Sequence, residues 1–186
     1  MFAHILHFNA IDRLNSIPSG WLPFDGVTGR NKNGNYNRAL YYKIAGASEP
    51  VSYTFGLAAN SKFAVTISSY RGCFNTVTPI DASSNVGYIM NNTTYQAASM
   101  NLPSQYTNIL MFPSVYSTST RTFLSPTTQG GGWTEDYDHG NTSPDFWRAG
   151  YRKRLDSSGP TGVIDSIGTM TGTTIKHAFA VALKPL

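Results

Sequence analysis

The sequence predicts an all-β fold, a two-sheet antiparallel β-sandwich of the jelly-roll type, in a single domain that covers residues 1–186. Segments that alternate apolar with polar residues and are rich in Val, Ile, Thr, Tyr and Phe recur about every 8 to 20 residues. Clusters of Gly, Pro and Asn separate them, and no segment shows a sustained helical stripe bounded by caps. The length suits one domain of roughly 100 to 200 residues, and no linker divides the chain.

Ten segments are predicted to be strands. In the first segment the alternation favours a strand, although Phe2, Ile5 and Leu6 also fit part of a helical face. The ten segments are Phe2–Asn9, Arg38–Ala45, Val51–Leu57, Lys62–Tyr70, Thr94–Leu102, Tyr106–Phe112, Gly132–Tyr137, Phe146–Leu155, Gly162–Gly168 and Thr173–Leu183. Strands at this spacing favour two packed sheets.

Polar clusters between these segments are predicted turns, because Gly, Pro and Asn adopt the φ values that chain reversals require. The clusters are 18–20, 29–35, 81–85, 129–132 and 157–160. The last predicted strand carries large side chains such as His177, Phe179 and Val181 on one face and alanines on the other. This pattern predicts a central strand whose core face is the one with large residues.

Composition excludes several classes of protein. Aromatic residues make up 13% of the chain, too many for a disordered protein, and no apolar run reaches the ~18 residues that a membrane span needs. The single cysteine, Cys73, excludes an internal disulfide framework and a Cys-rich zinc site. The net charge of +4 reflects few acids rather than many bases, so no nucleic-acid partner is predicted. The N-terminal segment lacks the features of a secretory signal, so export by that route is not expected.

No catalytic, metal-binding or cofactor-binding residues are predicted. The chain contains neither a Gly-x-Ser-x-Gly elbow nor a phosphate-binding Gly-x-x-x-x-Gly-Lys loop. The histidines, His4, His7, His139 and His177, do not have the spacing of a zinc hydrolase, and His177 is predicted to be a core or interface histidine. We therefore expect a protein that is not an enzyme.

One acidic segment follows Trp133, the residue predicted to offer a flat face to a sugar ring. On a regular strand, Glu135 and Tyr137 would face one way and Asp136 and Asp138 the other. Asp136 and Asp138 could then share a hard cation or form the carboxylate pair of a glycosidase, although a solvated strand end is the more common arrangement. Trp133, Asp136 and Asp138 are therefore predicted contacts for a glycan or a partner.

A row of arginines is predicted in the strand that begins at Phe146. If Trp147 and Tyr151 face the core, then Arg148, Arg152 and Arg154 lie together on the opposite, exposed face. Charged residues are scarce in this chain, at 13%, so the concentration is unusual. Guanidinium groups bind carboxylates well, which predicts that the three arginines contact a protein partner.

Five short pieces of the sequence stand in a characteristic order over nearly the whole chain. They are Pro18–Trp21, Tyr41–Phe55, Ser69–Gly72 with Pro79–Asp81, Gly132–Glu135 and Ala178–Pro185. In this order and spacing they resemble a module of bacteriophage and prophage structural proteins. The resemblance implies a β-sandwich on a virus particle that is assembled in the bacterial cytoplasm, and it implies no catalytic residues.

Two functions follow from this resemblance. The first is a non-enzymatic virion protein that decorates the capsid as a cement protein, with the major capsid protein and copies of itself, as a trimer, for partners. The alternative is a carbohydrate-binding module on a tail or head fibre, which binds host surface glycan for adsorption. Neither function involves a membrane.

The N-terminus departs from the pattern of this module, whose members carry a further strand before the segment matched by Phe2–Phe8. We therefore expect that segment to be an open edge or to be covered by a neighbouring subunit, since an exposed apolar edge invites pairing. The stretch from Gln129 to Phe146 is longer than a simple turn and is a second departure.

Overall fold

A computed structural model of the chain describes residues 1–9, 11–58, 61–73, 78–89, 94–105, 107–117, 123–127, 130–141, 146–167 and 175–186. Within these ranges every regular element is a strand, and every named pairing is antiparallel. The predicted all-β fold is confirmed. Contacts divide the chain into two compact units, unit 1 (Met1–Arg71) and unit 2 (Gly72–Leu186). The single domain predicted for residues 1–186 stays a prediction.

Unit 1 is built on one five-stranded sheet. Its strands are β1 (Phe2–Phe8), β2 (Leu14–Ser16), β3 (Leu22–Pro23), β4 (Arg30–Asn33), β5 (Tyr36–Tyr42), β6 (Gly56–Leu57) and β7 (Lys62–Ser68). The sheet has the order β3-β5-β1-β7, with β4 also paired to β5, while β2 and β6 form a separate pair.

The first segment is a strand, as the alternation predicted, but it is not an edge. β1 pairs with β5 on one side, where Ile5 lies opposite Ala39, and with β7 on the other, where Ile5 lies opposite Val65. The expectation of an open or subunit-covered N-terminal edge is therefore wrong. The β7 strand returns antiparallel beside β1 and supplies the pairing that a preceding strand would otherwise provide.

A small apolar core covers one face of the unit 1 sheet. Ala3 and Ile5 from β1 and Ala39 and Tyr41 from β5 share this core with Trp21. Leu14 of β2 also belongs to it, and the partly buried Leu57 of β6 packs against it. Unit 1 is thus a two-layer, sandwich-like packing of a sheet against short strands and loops.

Unit 2 is built on a second five-stranded sheet. Its strands are β8 (Ile80–Ile89), β9 (Thr94–Ala97), β10 (Asn101–Leu102), β11 (Thr107–Tyr116), β12 (Thr134–Asn141), β13 (Phe146–Leu155), β14 (Gly159–Pro160), β15 (Ile164–Ile167) and β16 (Ile175–Leu183). The main sheet has the order β12-β13-β11-β16-β8, and β9 with β15 and β10 with β14 form two small sheets.

The unit 2 core lies on the alanine face of β16. Ala178, Ala180 and Ala182 share one apolar cluster with Tyr95 of β9 and Ile164 of β15. Small residues allow these aromatic and branched side chains to approach the sheet closely. The opposite face of β16 is buried as well, so the prediction of a single core face, formed by the large residues, was incomplete.

Several predicted strands and turns differ from the structure. The predicted turn 81–85 lies within β8, because its Ser and Asn residues pair with β16 and tertiary pairing overrides local propensity. The predicted turn 29–35 contains β4 and a two-residue reversal at Gly34 and Asn35. Of the predicted strand Val51–Leu57, only Gly56–Leu57 is a strand. Five parts of the predicted segments lie outside the described residues: Tyr106, Gln129, 142–145, Gly168 and 173–174.

Candidate functional site

An open cleft in unit 1 is lined by both polar and apolar side chains. Its volume is about 570 Å³, within the range of small-molecule pockets. The lining combines charged, hydroxyl and apolar side chains and consists of Asp12, Ile17, Trp21, Pro23, Val27, Thr28, Arg30 and Tyr41. The predictions from sequence did not include this cleft.

A chain of hydrogen bonds forms the polar wall of the cleft. The Arg30 Nη1 group donates to Asp12 Oδ2 at 2.8 Å, and its Nε group donates to the Tyr41 hydroxyl at 2.8 Å. The Tyr41 hydroxyl in turn donates to the carbonyl of Thr28 at 3.0 Å. Because β4 pairs with β5, Arg30 lies opposite Ala39 and on the same face as Tyr41. The guanidinium is thus held between a carboxylate and a phenol.

The Asp12 carboxylate is fixed from the protein side as well. Its Oδ1 accepts from the Leu14 backbone N–H at 3.0 Å and lies 3.0 Å from Nε2 of the buried His7. Burial tends to raise the pKa of Asp12, but the hydrogen bonds from Leu14, Arg30 and His7 outweigh it and hold that pKa below its ordinary value. Burial lowers the pKa of His7, against the opposing effect of Asp12. At neutral pH the pair is therefore an ionised carboxylate beside a neutral imidazole.

The loop between β3 and β4 forms one side of the cleft and is held by its own backbone. Asp25 Oδ1 accepts from the N–H groups of Val27, Thr28 and Gly29 at 2.9, 3.1 and 2.8 Å. Gly29 has φ +65°, and a Cβ there would lie 2.6 Å from the Leu40 carbonyl oxygen. The loop shape thus requires glycine at this position.

Trp21 is a core residue that lies beneath the cleft. Its side chain packs edge-on against Tyr53 and Phe55, with ring centroids 5.2 and 5.5 Å away, and the residue is only 5% exposed. The indole Nε1 is buried and has no hydrogen-bond partner among the described residues. Most buried indole N–H groups have an acceptor, so this donor is unusual.

Asp136 and Asp138 do not share one face of β12, so the arrangement that a regular strand would give is absent. A β-bulge between Glu135 and Tyr137 shifts the register of β12 against β13, so Glu135 and Asp138 share one face. Asp136 is instead ion-paired with Arg152. Burial raises the pKa of Asp138, with a smaller contribution from the nearby Glu135 carboxylate. The two aspartates therefore provide neither the shared cation site nor the glycosidase pair considered from sequence.

Trp133 is a core residue and not an exposed sugar platform. It is 8% exposed and belongs to the same apolar cluster as Trp147. The prediction that Trp147 and Tyr151 face the core is confirmed. The Trp147 ring lies against Gly140 on β12, so closely that a Cβ at Gly140 would overlap it.

The predicted arginine row shares one face of β13. The β11 residues opposite Arg148, Arg152 and Arg154 alternate with the β11 residues that belong to the apolar cluster. The three arginines therefore lie on the face of the sheet that is opposite that cluster. Arg152 and Arg154 are exposed, whereas Arg148 is half-buried. Arg152 pairs with Asp136, and Arg154 Nε lies 3.3 Å from Asp156 Oδ1. We call Arg152 and Arg154 the arginine face.

Short motifs do not reveal the cleft, because Asp12, Arg30 and Tyr41 are 11 to 29 positions apart in sequence. Within the described residues, no group of three or more His, Cys, Asp or Glu side chains could hold a metal ion. No helix there is long and apolar enough to cross a membrane. Comparisons with protein-family models, curated proteins and solved structures find no match.

Proposed function

We propose that this chain is a non-enzymatic bacteriophage virion protein that decorates the capsid and stabilises the shell. The observation that carries the proposal is the arginine face, two exposed guanidinium groups side by side in a chain with few charged residues. The sequence resemblance to virion modules supports the location. The all-β antiparallel fold suits a rigid structural protein.

The arginine face offers bidentate donors to carboxylates on the major capsid protein. The side chains of Arg152 and Arg154 are 50% and 62% exposed, and that of Asp156 is 77% exposed. Exposed ion pairs contribute only about 0 to 1 kcal/mol, so Arg154 can exchange Asp156 for a capsid carboxylate at little cost. The Asp136 side chain is only 11% exposed, so Arg152 keeps that partner and offers its other N–H groups to the capsid.

Self-association completes the proposal. Three-fold and quasi-three-fold positions on an icosahedral shell suit a trimer, and closed symmetry multiplies weak contacts without forming filaments. We expect light scattering to give the mass of a trimer. A stable monomer that also fails to bind stripped shells would contradict the capsid role.

The direct test replaces Arg152 and Arg154 by Glu and measures attachment to phage particles stripped of the protein. Circular dichroism first establishes that the variant folds, because Arg152 is the ion-pair partner of Asp136, whose side chain is only 11% exposed. We expect the folded variant to lose attachment, because like charges at an interface cost several kcal/mol. The matched control replaces Lys32 and Lys62, two exposed cations of unit 1, by Glu, which changes the net charge equally. Attachment of the arginine variant at the level of the parent would contradict the proposal.

A further inference from the structure

We propose that the unit 1 cleft is a binding site for a neutral saccharide. Every residue that lines it belongs to unit 1, whereas the arginine face belongs to unit 2. None of the cleft residues belongs to the arginine face. A saccharide ligand follows from three properties of the lining: its hydrogen-bonding groups, its charge balance and its apolar wall.

The hydrogen-bonding groups of the cleft match hydroxyls that both donate and accept. The Asp12 carboxylate accepts hydrogen bonds, and its side chain is 30% exposed. Arg30 has five N–H donors and uses one on Asp12 and one on Tyr41. The guanidinium therefore keeps donors beside an acceptor, an arrangement that binds the adjacent hydroxyls of a sugar ring.

The charge balance of the cleft favours a neutral ligand. Asp12 and Arg30 are 2.8 Å apart and neutralise each other. An anionic sugar that approached Arg30 would meet the Asp12 carboxylate, which stays ionised because its hydrogen bonds lower its pKa. A cationic ligand would meet Arg30 in the same way. A neutral polyol makes both sets of hydrogen bonds without this repulsion.

The apolar wall matches the C–H face of a pyranose ring. Ile17, Pro23 and Val27 line the cleft with Trp21, and Val27 is 79% exposed. Trp21 itself is only 5% exposed and its indole N–H is buried, so the three aliphatic side chains supply the apolar contact.

The cleft is also preformed. Asp25 holds the loop from Val27 to Gly29 through three backbone N–H groups, and Leu14 holds Asp12. A site whose groups are already ordered loses little conformational entropy on binding. We therefore expect measurable binding from one or two sugar rings at millimolar concentrations.

The test is an NMR titration of the full chain that follows the tryptophan indole signals. The chain has three tryptophans, and the Trp21→Phe variant identifies the Trp21 signal by its loss. The probes are glucose, galactose, mannose and N-acetylglucosamine, with sialic acid as the anionic comparison. At least one neutral probe should shift the Trp21 signal and leave those of the core residues Trp133 and Trp147 in place. No shift with any neutral probe, or a shift with sialic acid alone, would overturn the proposal.

A variant pair ties the binding to the polar wall. Arg30→Gln should weaken binding of the active sugar about tenfold or more, since hydrogen bonds from a charged group are lost. Lys32→Gln is the matched control, because Lys32 is an exposed cation two residues further along β4 and outside the cleft lining. Equal affinities of the two variants would overturn the proposal. If Arg30→Gln does not fold, the titration of the parent chain decides.

Discussion

The two units each contain arginine–aspartate pairs, but the surroundings of these pairs differ. In unit 1 the pair of Arg30 with Asp12 is part of a network that includes Tyr41, His7 and a backbone N–H. In unit 2 the guanidinium groups of the arginine face are more exposed, although the Asp136 partner of Arg152 is only 11% exposed. The same chemistry therefore forms a hydrogen-bonded network beside a cleft in one unit and a surface row of guanidinium groups in the other.

The difference arises from the loops around each sheet. The loop between β3 and β4 recesses Arg30 beside Trp21, and Gly29 allows that loop to pass close to β5. β13 instead carries its arginines on a straight run of strand, where alternation alone places them. A recessed site requires loop geometry, whereas an arginine row requires only a period of two.

The largest expected effect comes from Gly29, on which the cleft loop depends. Gly29→Ala should lower the free energy of unfolding by about 2 to 4 kcal/mol, because the residue has φ +65° and its Cβ would approach the Leu40 carbonyl oxygen to 2.6 Å. Gly34→Ala is the control, since Gly34 has φ +54° but no atom within 4 Å of the added Cβ. Denaturant unfolding of the two variants checks the difference, and equal losses would contradict the role assigned to the Gly29 loop.

In unit 2 a glycine is likewise required at position 140, because the ring of the core residue Trp147 packs against it. Gly140→Ala should cost about 2 kcal/mol, because the added Cβ would overlap the buried Trp147 ring. Gly150→Ala should cost less, since the ring beside Gly150 belongs to Tyr137, which is only half-buried and can turn outwards. Denaturant midpoints and near-ultraviolet circular dichroism compare the two. A larger loss at Gly150 would contradict this packing.

Lowering the pH should change the stability contributed by Asp12 in unit 1 and by Asp138 in unit 2 in opposite directions. The pKa of Asp12 is lowered, so its ionised form stabilises the fold above the ordinary value of 3.8, and this contribution is lost as pH falls through the folded value. The pKa of His7 is also lowered. The free energy of unfolding therefore falls further as the pH drops below 6.5, because the unfolded chain binds a proton at His7 before the folded chain does. The raised pKa of Asp138 has the reverse sign: its ionised form is destabilising at neutral pH.

Two isosteric variants measure this contrast. At pH 7, Asp12→Asn should lower the free energy of unfolding by about 1 to 2 kcal/mol, because hydrogen bonds to a charged group are lost. Asp138→Asn should leave it unchanged or raise it by up to about 1 kcal/mol. Unfolding measured from pH 7 to pH 3 should show a flatter acid branch for Asp12→Asn than for the parent. The same sign of change in both variants at pH 7 would contradict the assigned pKa directions.

The smallest effect is expected at the arginine face. Arg154→Ala should change the free energy of unfolding by no more than about 0.5 kcal/mol, because its side chain is 62% exposed and its ion pair with Asp156 is screened. Arg30→Ala should cost clearly more, since it removes two hydrogen bonds in a partly buried network. Thermal melts in low and high salt check both, and a large salt-dependent loss in Arg154→Ala would show that the pair is structural.

Regular strands could be predicted from sequence, and the features that depend on pairing could not. The bounds of β13 match the prediction, because Trp147, Ala149 and Tyr151 alternate with polar residues. The bulge that separates Asp136 from Asp138 depends on the register against β13, which no local pattern in β12 shows. β8 was missed because its serines are poor strand formers that are stabilised by pairing with β16.

The cleft was missed for a related reason. Asp12, Arg30 and Tyr41 come from separate parts of unit 1, and only the antiparallel pairing of β4 with β5 brings Arg30 to Tyr41. Trp21 stands in the sequence as an isolated aromatic residue after a turn. The sequence contains each component of the site but not the distances between them.

Attachment to stripped phage shells tests the division of roles most directly. The two variants to compare are Arg30→Gln, in the cleft, and the double change of Arg152 and Arg154 to Glu, measured by co-sedimentation with the particles. We predict that the cleft variant attaches like the parent, whereas the double variant stays in the supernatant. Attachment of the double variant, or loss of attachment in both folded variants, would contradict the account.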